Sequence, residues 1–147
     1  MYATDYGSVA REPQRSIPSG DARVVVATYA LSSGLGRPQQ ELEDCKSAVQ
    51  QRGWTLGREF WDCGPVGTLR LDLGTQWATA VQQAEIGRFR GLVVHDRVSV
   101  APDDSLYRRL VNWAADSRAF VLFLRDREFG QHLIGCRPAV SASGAVA

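Results

Sequence analysis

Few residues in this chain have types and spacing that could do chemistry. Ser32 and Ser33 open a turn-rich stretch, Ser32-Ser33-Gly34-Leu35-Gly36-Arg37-Pro38, and Asp96-Arg97 follow the apolar run Leu92-Val93-Val94 with only His95 between. A serine hydroxyl in a turn can become a nucleophile when something activates it, but serines also sit in turns simply to cap backbone groups. Asp96 and Arg97 could form a surface ion pair of little energetic worth, or Arg97 could contact a phosphate. Gly34 to Gly36 is too short for a P-loop and lacks the Lys-Ser/Thr ending, so nothing points to nucleotide binding. His95 and His132 lie far apart and outside any HExxH pattern, and His95 reads as a polar strand terminus rather than a general base. Cys45, Cys63 and Cys136 form an odd set without CxxC spacing, which argues for reduced thiols and against zinc or a disulfide framework. No metal or other cofactor is expected.

These residues need elements to position them. The run Val24-Val25-Val26-Ala27 within Arg23 to Tyr29 is β-branched and continuous, the pattern of a strand buried on both faces of a parallel sheet. Leu42, Cys45 and Val49 recur at helical spacing between Gln39 and Arg52, and Gly53 is placed to end that helix. Trp54 to Trp61 reads as a second strand, Gly74 to Ile86 as a helix with Trp77, Ala80, Val81 and Ala84 on one face, and Leu92 to Val94 as a third strand. A third helix begins around Pro102 and carries Leu106, Leu110 and Trp113; Ala119 to Leu124 is the fourth strand. Strands alternating with helices imply an α/β class, a flavodoxin-like three-layer sandwich on a mostly parallel sheet of four to five strands. In such sheets the working residues lie beyond the carboxyl ends of the strands, so the loops after Tyr29 and Val94 are the places to look. Trp54, Trp61, Trp77 and Trp113 read as core or interface anchors rather than base-stacking platforms.

The 147 residues suit one domain, with residues 1–22 a disordered leader, 23–125 the folded body and 126–147 an irregular tail containing at most an edge element. Sixteen of the 17 basic residues are Arg, the exception being Lys46, yet the net charge is only +1. No bulk positive field exists to hold nucleic acid, and any DNA contact must be local or supplied by a partner. No run approaches the roughly 18 to 20 apolar residues a membrane helix needs, so a cytoplasmic location without membrane contact is expected.

Several motifs in order resemble the catalytic domain of the serine recombinases, the resolvases and invertases. Tyr29, Ala30 and Ser33 are similar to that family's opening Tyr-Ala-Arg-Val-Ser. Gln51-Arg52-Gly53-Trp54 and Phe60-Trp61-Asp62 resemble its helix end and second strand, and Gly64-Pro65-Val66-Gly67-Thr68 its Gly-Val-Ser-Gly-Thr loop. Glu85-Ile86-Gly87-Arg88-Phe89 and Asp96-Arg97-Val98-Ser99 resemble its Glu-Ala-Gly-Arg-Phe and Asp-Arg-Leu-Ser. The likeness spans about Arg23 to Leu124.

The resemblance implies that Ser33 occupies the nucleophile position, which in the family forms a 5′-phosphoserine link to DNA, and that Asp96 and Arg97 match the pair after the third strand. Arginines that grip the scissile phosphate are expected near by, because guanidinium groups match the charge that spreads over phosphoryl oxygens. Here the position two before the nucleophile is Leu31, the position before the second helix falls on Leu73, with Arg70 near enough to substitute, and the position three after Arg97 is Val100. The Asp96 and Arg97 match also needs a two-residue gap before Asp96. The expectation is a degenerate stand-alone relative that cannot cut DNA efficiently, with Arg97 and Arg70 as its remaining phosphate contacts. Its expected partners are DNA, held weakly or through another protein, and a homodimer or hetero-partner. The 23 residues after Leu124 leave no room for the family's long helix or a helix-turn-helix module. The alternative is a protein interaction module on a vestigial scaffold.

Overall fold

The computed structural model describes residues 23–34, 36–64 and 75–138, and Val25–Pro138 form one compact unit. Among these residues lie strands β1 (Val25–Ser32), β2 (Thr55–Cys63), β3 (Gly91–Asp96), β4 (Phe120–Arg125) and β5 (His132–Gly135), with helices α1 (Gln39–Gln51), α2 (Gln76–Glu85) and α3 (Asp104–Asp116). The sheet order is β2-β1-β3-β4-β5. The first four strands are parallel and β5 runs antiparallel to β4. This is the α/β sandwich expected from the sequence. The order reverses between β1 and β3, which places a crevice outside their carboxyl ends.

Alternation along the strands decides what each layer buries. Ala27 and Tyr29 of β1, Phe60 of β2, Leu92 and Val94 of β3, and Val121 and Phe123 of β4 join Trp77, Ala80 and Ala84 of α2 and Leu110 of α3 in one core. α1 covers the other face with Leu42, Cys45, Ala48 and Val49 buried. Its end is a Schellman motif: Gly53 has φ 72°, its N–H donates to Gln50 O at 3.0 Å, and Trp54 N–H donates to Val49 O at 3.1 Å. α2 ends the same way at Gly87, whose φ is 90°. α3 starts two residues later than Pro102 suggested, because Asp103 caps it, accepting from Leu106 N–H at 2.8 Å. Its most buried residues are Leu110 and Ala114, with Leu106 and Trp113 only partly covered.

The strands run further than their apolar cores. β1 continues to Ser32, β2 to Cys63 and β3 to Asp96, so Asp62, His95 and Asp96 stand on strands rather than in loops. Ladder pairing of Leu31 with Asp62 and of Ser32 with Cys63 carries the extension, a backbone effect invisible to hydrophobic patterning. β2 also bulges: Val26 pairs with Leu56 and Ala27 with Arg58, leaving Gly57 between. A Cβ at Gly57 would meet the Phe89 ring at 2.8 Å and Val25 at 2.9 Å. Beyond Arg125 the chain turns back and adds β5 as an edge strand, so the compact unit reaches Pro138. The leader 1–22, the segment 65–74 with Arg70 and Leu73, and residues 139–147 lie outside the described residues.

Candidate functional site

The carboxyl ends of β1, β2 and β3 bring the candidate residues to one edge of the sheet, and each is held differently. Ser33 follows β1 and is exposed. Its neighbour Ser32 is buried, and Ser32 Oγ accepts the Gly34 N–H at 3.2 Å, so Ser32 is the serine that caps the turn. Among the described residues no hydrogen bond ties the Ser33 hydroxyl to Asp96 or Arg97.

Asp62, at the end of β2, organises this edge. Its Oδ2 accepts from Tyr29 Oη at 2.9 Å and from Trp77 N–H at 3.0 Å, while Oδ1 accepts from Gln76 N–H at 3.0 Å. One carboxylate thus satisfies two free N–H groups at the start of α2 and anchors that helix to β1 and β2. Gln76 returns a contact, its Oε1 accepting from Trp61 N–H at 3.0 Å. Burial and, after it, the Asp62 charge push the Tyr29 phenol far above its ordinary value, so Tyr29 stays protonated and donates. Tyr29 and Asp62 belong to the motifs that resemble the recombinases, and here their chemistry is architectural.

Asp96 ends β3 and caps the short 3-10 turn Arg97–Ser99: its Oδ1 accepts from Val98 N–H at 3.2 Å and its carbonyl from Ser99 Oγ at 2.6 Å. Arg97 turns away toward α3 and the loop after β4. Its Nε lies 2.8 Å from Asp126 Oδ2, Nη1 donates to Ala101 O at 3.2 Å, and Nη2 reaches Glu128 Oε1 at 3.5 Å. The guanidinium also stacks over Tyr107 at 4.8 Å. The Arg97 side chain is 12% exposed and that of Asp126 is fully buried. Burial pushes the Asp126 carboxyl up, but the Glu128 N–H and the Arg97 charge outweigh it and hold the group below the usual carboxylate range.

The network extends to β5. Tyr107 Oη lies 3.1 Å from His132 Nε2, and His132 Nδ1 lies 2.9 Å from Gly130 O. The carbonyl can only accept, so Nδ1 donates to it. On the α1 face, His95 Nε2 lies 3.4 Å from Asp44 Oδ2. Leu31 and Val100, where the resemblance leads one to expect arginines, pack as partly buried hydrophobics against the core.

Sequence reasoning missed Asp126 as the partner of Arg97, and no local signal marked it; the Arg125-Asp126-Arg127 run reads as a solvated charge cluster until the turn buries its centre. The role of Asp62 carried no local signal either, since 13 residues intervene before Gln76 and the adjacent cap of α2 is Thr75, which accepts from Ala78 N–H.

Fold and edge geometry together define an α/β sandwich with its candidate residues at the carboxyl ends of the strands. The chain is similar in structure to the solved N-terminal catalytic domain of TP901-1 integrase, with a TM-score of 0.53, 15% sequence identity, and coverage of 68% of this chain and 76% of that one. No protein-family model matches the sequence, and no curated protein matches it. No helix among the described residues is long and apolar enough to cross a membrane.

Proposed function

We propose that this domain keeps a recombinase-like scaffold without efficient DNA cleavage, and acts as a DNA-associated or regulatory protein related to site-specific recombination. The observation that carries this reading is the placement of Arg97. Its guanidinium is committed to Asp126, Ala101 and Tyr107, and moving it toward Ser33 would strand a buried carboxylate. Leu31 and Val100 support the same reading, because aliphatic groups packed on the core offer a phosphoryl group no hydrogen bonds. Phosphoryl transfer depends on preorganised cations, and losing one donor typically costs roughly 100- to 1,000-fold in rate. Ser33 keeps the exposure a nucleophile position needs, and among the described residues no hydrogen bond ties its hydroxyl to an arginine.

The test is covalent trapping. The protein is incubated with supercoiled DNA, quenched in denaturant and examined for protein joined to a 5′ end, beside Ser33→Ala. No adduct is expected from either, and a Ser33-dependent adduct overturns the reading. A salt-dependent shift of labelled DNA separates DNA association from the interaction module, since phosphate contacts weaken as salt rises.

A further inference from the structure

A second cleft lies beyond β3 and β4. Asp96, Leu124, Arg125, Asp126, Arg127 and Gly130 line it, and its volume is about 290 Å³. That is roughly ten waters' worth of space, enough for a phosphate group with part of its hydration. We infer that this cleft takes a phosphate group, held by Arg125 and Arg127.

The cleft's lining holds two carboxylates and two guanidiniums, and the ladder pairing of Asp96 with Arg125 puts that acid and that cation on the same face of the sheet. The two carboxylates are turned to internal work: Asp126 is fully buried against Arg97 and accepts the Glu128 N–H at 2.9 Å, while Asp96 Oδ1 accepts the Val98 N–H. Arg125 and Arg127 are exposed, and among the described residues neither has an acidic partner. Arg125 and Arg127 are thus the exposed charges of the lining, with Asp96 half-buried and Asp126 buried. Planar guanidinium groups match phosphate oxygens in pairs.

The platform is also fixed in advance. Gly130 N–H donates to Asp126 O at 2.8 Å and closes the turn that carries Arg127, and Gly130 adopts φ 66°, which a side chain would resist. β4 holds Arg125 in register with Asp96. Arg97 pairs with Asp126 of the lining at 2.8 Å. A rigid turn with two free guanidiniums limits the ordering cost of binding to the arginine side chains themselves. This site is distinct from Ser33 and does not depend on whether cleavage occurs.

The phosphate could belong to a DNA backbone or to a small phosphate compound, and two titrations of the full chain separate the sources. Pyrophosphate is titrated calorimetrically at low salt, and a fluorescent DNA duplex is titrated over a salt series. Both use wild type, the double variant Arg125→Ala/Arg127→Ala, and Arg108→Ala/Arg109→Ala as a control of equal charge change on exposed positions of α3. The cleft variant should weaken pyrophosphate binding at least about tenfold, with the control within about twofold of wild type. If DNA is the source, its affinity falls with the same variant and the salt slope drops by about two. If a small compound is the source, the DNA curves of wild type and cleft variant coincide while the pyrophosphate loss remains. Absence of saturable pyrophosphate binding to wild type, or an equal loss in cleft variant and control, would overturn the proposal. A Ser33-dependent adduct would overturn the cleavage reading alone.

Discussion

Removing Arg97 should unfold this domain more readily than any exposed arginine does, and the size of the effect separates a supporting role from a free phosphate contact. In Arg97→Ala, Asp126 keeps its charge, its side chain remains fully buried, and its nearest cation, 2.8 Å away, is gone. Breaking a buried pair from one side typically costs about 3 to 5 kcal/mol, against about 0 to 1 for an exposed pair. The lost bond to Ala101 O and the lost stacking on Tyr107 act in the same direction, by about 1 kcal/mol each, though not additively. Against a total stability of about 5 to 15 kcal/mol, such a loss is severe. Taking a urea m-value of about 2 kcal/mol/M, the midpoint should fall by about 1.5 to 2.5 M. The assay is urea unfolding of wild type, Arg97→Ala, Asp126→Asn and the double variant. In the Asp126→Asn background no charge is left stranded, so adding Arg97→Ala should cost less, by a coupling of about 1 to 3 kcal/mol. A loss below about 1 kcal/mol with no coupling would refute the reasoning and return Arg97 to the phosphate contacts.

Other outcomes follow from the same geometry. The depressed Asp126 group binds its proton less readily folded than unfolded, so its stabilisation is present above about pH 4, the ordinary carboxylate value, and is lost as pH falls through the lower folded value; Asp126→Asn should flatten the acid limb of a stability curve measured by thermal melting, and an unchanged limb counts against the pairing. Burial, then the Asp44 charge, pushes the Cys45 thiol up to about 12, so at pH 8 only about one molecule in 10,000 carries the thiolate. Thiol titration of the native protein should accordingly show Cys63 and Cys136 reacting quickly and Cys45 only after unfolding. Gly57→Ala should cost about 1 to 3 kcal/mol, because the new methyl meets Phe89 and Val25 inside 3.0 Å; a neutral change in urea midpoint would mean that the bulge relaxes freely. Asp62→Ala removes the acceptor of three hydrogen bonds and should lower stability by about 2 to 4 kcal/mol, with amide exchange accelerating first at Gln76 and Trp77.

What the sequence could and could not reveal follows from how local each cause is. The strand cores and the glycine stops were legible because a β-branched run and a left-handed residue act within a few positions: Val93 and Val94 are fully buried, and at the end of α1 Gly53 N–H donates to Gln50 O while Trp54 N–H donates to Val49 O. Strand ends were not legible, since Asp62 and Asp96 are held by ladder pairing and helix capping rather than by their own hydropathy. Arg97 is the sharpest case. Its motif, Asp96-Arg97-Val98-Ser99, is local and readable, but what the guanidinium does is set 29 residues later, by whether a turn buries an acid. The turn after β4 does bury one, and β5, packed behind it through Tyr107 and His132, keeps it buried. A motif arginine can thus be read from the sequence while its ion pair is set by the fold, and Arg125 and Arg127, on either side of the buried acid, are exposed.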